Sequence, residues 1–149
     1  MRQDAGGAVV ARMVAPRLSP RPLQVAVAIC GLVPVGAGLS GVLLGPRMTG
    51  AAVAAIQGGA SLDSHYRYLS GLLLGIGLAF WSLIPGIATR GASFRLLTAL
   101  VVVGGLGRLL GVALQGVPPA SMLFGLGMEL VVTPLLCLWQ ARVAARTLQ

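Results

Sequence analysis

Four long apolar blocks run along this chain of 149 residues, separated by short polar or proline- and glycine-rich stretches. They span about residues 23–44, 65–85, 96–115 and 120–140. Each block has about 20 residues, which is enough for a helix to cross a hydrocarbon core of about 30 Å. The pattern predicts an all-α fold, a four-helix transmembrane bundle.

The composition supports lipid as the main solvent of this chain. Hydrophobic residues make up 56% of it and charged residues only 9%, and the mean hydropathy is +0.91. Soluble domains carry about 25% charged residues, because their surfaces must be wetted. The lipid bilayer is therefore the first partner that the sequence predicts.

The remaining stretches divide the chain into three parts. Residues 1–22 are polar, basic and proline-containing, and we expect a disordered cytoplasmic tail there. The membrane domain follows over 23–142, and 143–149 form a second cytoplasmic tail. The first apolar block is longer than the core of a signal peptide and no convincing cleavage site follows it, so we expect it to remain as a helix.

The distribution of arginines predicts the orientation. Eight of the eleven fall in segments that share one side of the membrane when both termini are cytoplasmic; these are Arg2, Arg12, Arg17, Arg21, Arg90, Arg95, Arg142 and Arg146. Only Arg47 lies in an outer loop. Positive charge gathers on the cytoplasmic side, so we expect a multi-pass protein of a bacterial inner (plasma) membrane with both ends inside.

Other chemistry is disfavoured. The net charge is +8 but there are no lysines, and the arginines form no dense patch, so nucleic acid is not an expected partner. Cys30 and Cys137 lie in apolar blocks without a second ligand at metal-binding spacing. No phosphate loop, catalytic triad or metal-ligand set occurs in the sequence, and we expect no cofactor, no metal and no catalytic residue.

Charged residues inside the apolar blocks are few, and two of them should meet. Arg108 lies about eight residues before the turn that joins the third and fourth helices, and Glu129 about ten after it. With a rise of about 1.5 Å per residue, the two side chains lie within about 3 Å of the same depth. Because buried charges in membranes pair, we expect a direct Arg108–Glu129 ion pair.

This pair supports two interpretations. In one it only fixes the register of two helices. In the other it belongs to a polar pocket open to the outer face, which binds an anionic or amphipathic small molecule through arginine, as arginine binds carboxylates and phosphates at two points. The candidate ligand-binding residues are Arg67, Arg108, Glu129, His65, Tyr68 and Gln115.

Several motifs of the last three helices resemble those of a known family. They are His65-Tyr66-Arg67-Tyr68-Leu69-Ser70-Gly71, Gly75-Ile76-Gly77-Leu78, Gly104-Gly105-Leu106-Gly107-Arg108-Leu109-Leu110, and Gly127-Met128-Glu129-Leu130 with Pro134. The stretch 64–142 resembles a bacterial family of small four-helix membrane proteins catalogued as a domain of unknown function, and is distantly similar to DoxX-like proteins. The resemblance implies a four-helix bundle with Arg67, Arg108 and Glu129 at family positions, and no activity.

Three functions remain open at this point. The first is a protein that binds or moves a small anionic or amphipathic molecule through an Arg/Glu-lined interior, where transport would require a homodimer. The second is an accessory or scaffolding subunit that docks a membrane-protein partner, with a purely structural Arg108–Glu129 pair. The third is a lipid- or quinone-directed enzyme with Glu129 as acid or base; the adjacent arginine favours the ionised form of the carboxylate, which argues against it.

Overall fold

The computed structural model describes residues 19–49 and 59–147, and these form four long helices. The helices are α1 (Arg21–Leu44), α2 (Gly59–Leu83), α3 (Gly91–Gln115) and α4, which comprises Ala120–Gly127, Met128–Val132 and Thr133–Thr147. Short 3-10 turns follow α1 and α2. No strand occurs in the described ranges. The predicted all-α, four-helix fold is confirmed.

Proline and glycine mark the helix ends. Pro22 lies in the first turn of α1, where a missing N–H costs nothing. Gly45 (φ 62°) ends α1 and Gly116 (φ 92°) ends α3, each in a left-handed conformation that suits glycine. Pro119 precedes α4. The structure thus ends α1 at Leu44 and α3 at Gln115, the C-terminal limits that the apolar blocks predict.

Three predicted limits differ from the structure, and the differences share one cause. α2 begins at Gly59 and α3 at Gly91, each several residues earlier than expected, and α4 continues to Thr147. Asp63 lies within α2, one turn after its start. Helices continue past the apolar core into the polar interface, where hydropathy no longer marks them. Residues 143–147 of the predicted C-terminal tail are thus helical. Of the predicted tail over 1–22, residues 21 and 22 belong to α1, and residues 1–18 lie outside the described residues.

The first two helices pack closely as an antiparallel pair through small residues. A side chain at Gly38 would come within 2.8 Å of Leu74 Cα, and one at Gly77 within 3.1 Å of the Val35 backbone nitrogen. The Trp81 ring lies against Gly31, and its Nε1 donates a hydrogen bond to the Ala28 carbonyl at 3.1 Å. Trp81 thus joins α1 and α2.

All four helices meet around the connection between α2 and α3, an end of the bundle that we call the connector end. The Phe80 and Phe94 rings contact there edge to face, with centroids 5.1 Å apart. Two glutamines hold the connection: Gln24 donates to the Ile84 carbonyl and Gln140 to the Ile87 carbonyl, both at 2.8 Å. The buried hydrophobic core is Leu23, Val27, Phe80, Leu83, Ile87, Phe94 and Val143.

Along α3 and α4, burial decreases toward the opposite end of the bundle, which we call the far end. Within the described chain, α3 has no buried residue after Gly105 and α4 none before Gln140. The α1–α2 and α3–α4 hairpins therefore pack on each other mainly at the connector end. Many large apolar side chains are exposed along the helices, among them Leu32, Leu43, Val103, Leu110 and Leu135.

This exposure fits a lipid solvent. All four helices are long and apolar enough to cross a membrane. The chain is a multi-pass membrane protein.

Gly38 and Gly36 offer a matched test of the α1–α2 contact. Gly38→Ala places a methyl group against the backbone of Leu74, which cannot rotate away, so we expect a loss of about 1–3 kcal/mol. A Cβ added at Gly36 would have no described atom of another element within 4 Å. Gly36→Ala should therefore be neutral or slightly stabilising, because alanine favours helices. Unfolding in mixed micelles measures both, and equal effects would contradict this packing.

Candidate functional site

The centre of the candidate site is the ion pair between α3 and α4. Arg108 Nε donates to Glu129 Oε2 and Arg108 Nη2 to Glu129 Oε1, each at 3.0 Å. One edge of the guanidinium is thus matched to both carboxylate oxygens, the strongest geometry for such a pair. The predicted Arg108–Glu129 pair is confirmed.

Glycines on both helices make room for this contact. A side chain at Gly105 would come within 2.9 Å of Glu129 Cβ and 2.7 Å of Leu130 Cδ2. The Arg108 guanidinium lies over Gly125, 3.9 Å from where a Cβ would be. The glycines on this face bring α3 and α4 close enough for a short, direct ion pair.

Glu129 lies in a π-helical segment, Met128–Val132. Pro134 follows and has no N–H to donate to a carbonyl in the preceding turn, so the regular α-helical ladder is interrupted here. Thr133 bridges the gap, because both its backbone N–H and its hydroxyl donate to the Met128 carbonyl. Such π segments within α-helices are frequent at functional sites. The signal in the sequence was Pro134, five residues after the acid.

The second edge of Arg108 has a much weaker partner. Arg108 Nη1 lies 3.2 Å from the sulfur of Met122, which is a poor hydrogen-bond acceptor. The Arg108 side chain is 34% exposed and that of Glu129 17%. The pair therefore leaves a guanidinium edge that a better acceptor could take.

Arg67 has partners on α1 and α2 instead. Its Nε donates to Asp63 Oδ2 at 2.8 Å, and its Nη1 donates to the carbonyls of Val42 and Leu43. The last carbonyls of a helix have no partner within it, so Arg67 closes the end of α1. Gly45 belongs to this contact, since a side chain there would meet Asp63 Oδ1 at 2.6 Å.

The remaining predicted residues lie near the surface. His65 and Tyr68 have ring centroids 6.5 Å apart. They line an open groove of about 610 Å³ with Ala60, Ser61 and Ser64. Gln115 is the exposed last residue of α3.

The hydrogen bonds and ring contacts thus divide the six candidates. Arg108 and Glu129 form one group, His65 and Tyr68 another, and Arg67 and Gln115 stand apart from both. Ligand binding by any of them stays a prediction. No group of three metal-ligating side chains occurs in the described part of the chain.

With this geometry in place, the chain can be compared with known proteins. A family model described as Domain of unknown function (DUF4345) matches residues 22–140. The chain belongs to this family. No curated protein and no solved structure matches it.

The DUF4345 match covers α2 and α3 completely, α1 from residue 22 and α4 up to residue 140, and it includes all six candidate residues. The predicted membership of a family of small membrane proteins of unknown function is confirmed. The more distant similarity to DoxX-like proteins stays a prediction.

One polar residue of this DUF4345 chain, at the centre of the connector end, was not predicted from the sequence. Gln140 is fully buried, and its Nε2 bonds to the Ile87 carbonyl. Its Oε1 has no hydrogen-bond partner among the described residues. A glutamine at the end of an apolar block looks like an interfacial residue, so its burial could be found only from the fold.

Replacing the ion pair in steps tests its role in stability. Arg108→Ala leaves the Glu129 carboxyl group without its partner against α3, and we expect a loss of about 3–5 kcal/mol. The double variant Arg108→Leu/Glu129→Leu removes both charges and should recover much of that loss. Unfolding in mixed micelles measures both. Single and double variants of equal stability would show that the two side chains are not coupled.

Proposed function

We propose that this protein binds a small amphipathic molecule whose anionic or strongly polar head group contacts Arg108. The observation that carries the proposal is the Nη1 side of the guanidinium, which meets only a thioether sulfur among the described residues. A carboxylate or phosphate oxygen accepts from a guanidinium far more strongly than sulfur does.

The membrane makes this open edge costly. Hydrocarbon offers no hydrogen bonds, so polar groups at membrane depth must be satisfied by protein, water or ligand. Arg108 lies about seven residues, or about 10 Å, from the end of α3. About a third of its side chain is uncovered. A bound head group would satisfy the N–H groups that the chain leaves open.

The face of α3 that carries Arg108 supports room for an apolar body. Leu97, Val101, Gly104, Arg108 and Gly111 recur at spacings of four and three, so they lie along one side of the helix. Leu97 and Val101 pack against the core at the connector end. A Cβ added at Gly104 or Gly111 would have no described atom of another element within 4 Å. The same face is therefore filled at one end and uncovered around Arg108.

The arginines support an orientation for this site. In the described chain Arg21, Arg90, Arg95, Arg142 and Arg146 belong to the connector end, and Arg47 follows α1 at the far end. The excess of positive charge favours a cytoplasmic connector end. We accordingly place the protein in a bacterial inner membrane with both termini inside and Arg108 in the outer half.

A second function, that of a scaffolding subunit, is favoured by one observation. α3 carries three glycines, Gly104, Gly107 and Gly111, at which an added Cβ would have no described atom of another element within 4 Å. Small residues in this pattern let another transmembrane helix approach closely. In that case a protein partner, and not a small molecule, would cover Arg108.

Native mass spectrometry of the gently purified protein distinguishes the two functions. The unaltered chain is compared with Arg108→Leu/Glu129→Leu and, as a matched control, Asp63→Leu/Arg67→Leu, which removes the other described ion pair with the same change in charge. We expect a co-purifying small molecule in the unaltered chain and in the control, and its loss from the Arg108/Glu129 variant.

Two results would count against ligand binding. A molecule retained equally by all three proteins would be bound elsewhere. A co-purifying membrane protein, lost when Gly107 is changed to leucine and found without any small molecule, would favour the scaffolding function.

A further inference from the structure

We infer that the Arg108 site takes a ligand with a single carboxylate head, and that one proton enters with it and is held by Glu129. This inference rests on the proposed function and names the ligand class and the regulation of the same site. It follows from three features of the pair: its charge, its geometry and its isolation from other charges.

The charge of the site is balanced before any ligand arrives. Arg108 supplies one positive charge and Glu129 one negative charge, joined by two hydrogen bonds of 3.0 Å. An anionic head at the open edge of Arg108 makes the total negative. Two carboxylates that share one site at low dielectric cannot both stay ionised without a large cost. A single proton restores neutrality, and only a monoanion is balanced by one proton.

The geometry favours a planar, two-oxygen acceptor. A guanidinium has two edges that each suit a carboxylate. Glu129 occupies the edge formed by Nε and Nη2. The edge formed by Nη1 and Nη2 remains, and of its two nitrogens Nη1 meets Met122 Sδ. Movement of the flexible Met122 side chain would open this edge to a second carboxylate.

Among the described residues, no other charged side chain is hydrogen-bonded or ion-paired to Arg108 or Glu129. Within the described chain, Arg108 of α3 is the charged group that faces Glu129. Arg95 and Arg142 are each thirteen residues along their helices from Arg108 and Glu129, which is about 20 Å. Arg67 is bonded to Asp63 and to the end of α1. In this inference the compensating charge comes from solution, as a proton on Glu129.

The step is a simple proton uptake. The ligand carboxylate accepts hydrogen bonds from Nη1 and Nη2 of Arg108. A proton from water then binds to one oxygen of Glu129, which keeps a hydrogen bond from Arg108 on its other oxygen. When the ligand leaves, Glu129 returns the proton to water and regains its ion pair. Ligand and proton are thus bound and released together, one to one.

Dodecanoate is a suitable probe, with the protein in nanodiscs of zwitterionic lipid and empty nanodiscs as the blank. Calorimetric titrations in two buffers of different ionisation enthalpy count the protons taken up per ligand. We expect about one proton, and a dissociation constant that rises about tenfold per pH unit across the neutral range, as linkage requires for one proton. Glu129→Gln should bind dodecanoate with no proton uptake and little dependence on pH.

Asp63→Asn is the matched control, because it removes the acid of the other described ion pair; it should keep the proton uptake of the unaltered protein. The proton count on the unaltered protein needs no variant, so it still tests the one-to-one uptake of ligand and proton if Glu129→Gln fails to fold. Dodecyl phosphate and dodecanol test the head group, and both should bind at least tenfold more weakly than dodecanoate.

The outcomes separate this inference from the proposed function. Dodecanoate binding that depends on Arg108 but takes up no proton would overturn the inference and leave the proposed function standing. Tighter binding of dodecyl phosphate would overturn the carboxylate class. If no probe shows binding that is lost in Arg108→Leu/Glu129→Leu, both the inference and the proposed function are wrong.

Discussion

Hydrocarbon cannot satisfy a polar group, and this constraint accounts for most of the specific contacts in the bundle. A chain with so few charged residues must find partners for them within itself. Both acidic residues in the described ranges are bonded to arginines, Glu129 to Arg108 and Asp63 to Arg67. Three other polar side chains, Gln24, Trp81 and Gln140, donate to carbonyls of neighbouring elements. These bonds determine which helices meet and at what depth.

Glycines determine where the helices of each hairpin approach most closely. Lipid tails are as apolar as leucine, so helices in a membrane associate by close packing and not by the hydrophobic effect. Gly38 and Gly77 bring α1 and α2 together, and Gly105 does the same for α3 and α4 at the level of Glu129. Larger side chains fill the connector end, where Phe80 and Phe94 meet. The bundle is thus two close hairpins joined at one end.

The sequence predicted those features that depend on local pattern or on counting along a helix. Four apolar blocks gave four helices, and equal distances from the α3–α4 turn gave the Arg108–Glu129 pair. The contacts of Arg67 were harder to predict, because its carbonyl partners on α1 are far away in the chain. The early start of α2 was hidden by polar residues that hydropathy reads as a loop. The π segment at Glu129 and the burial of Gln140 depend on Pro134 and on tertiary packing, which no periodicity shows.

The site therefore combines a two-point ion pair with a guanidinium edge whose partner is a weak acceptor. Glu129 holds one side of Arg108, a thioether meets the other, and the face around it is lined by uncovered glycines. Membership of the DUF4345 family adds the four-helix membrane setting, and the chemistry rests on these few side chains.

The most direct test is a high-resolution structure of the protein isolated with its native lipids. The account predicts an elongated non-protein density beside α3, with its head within about 3 Å of Arg108 Nη1 and Met122 displaced from the guanidinium. Met122 still in contact with Arg108 and no such density, or a second protein chain over Gly104 and Gly111, would contradict it.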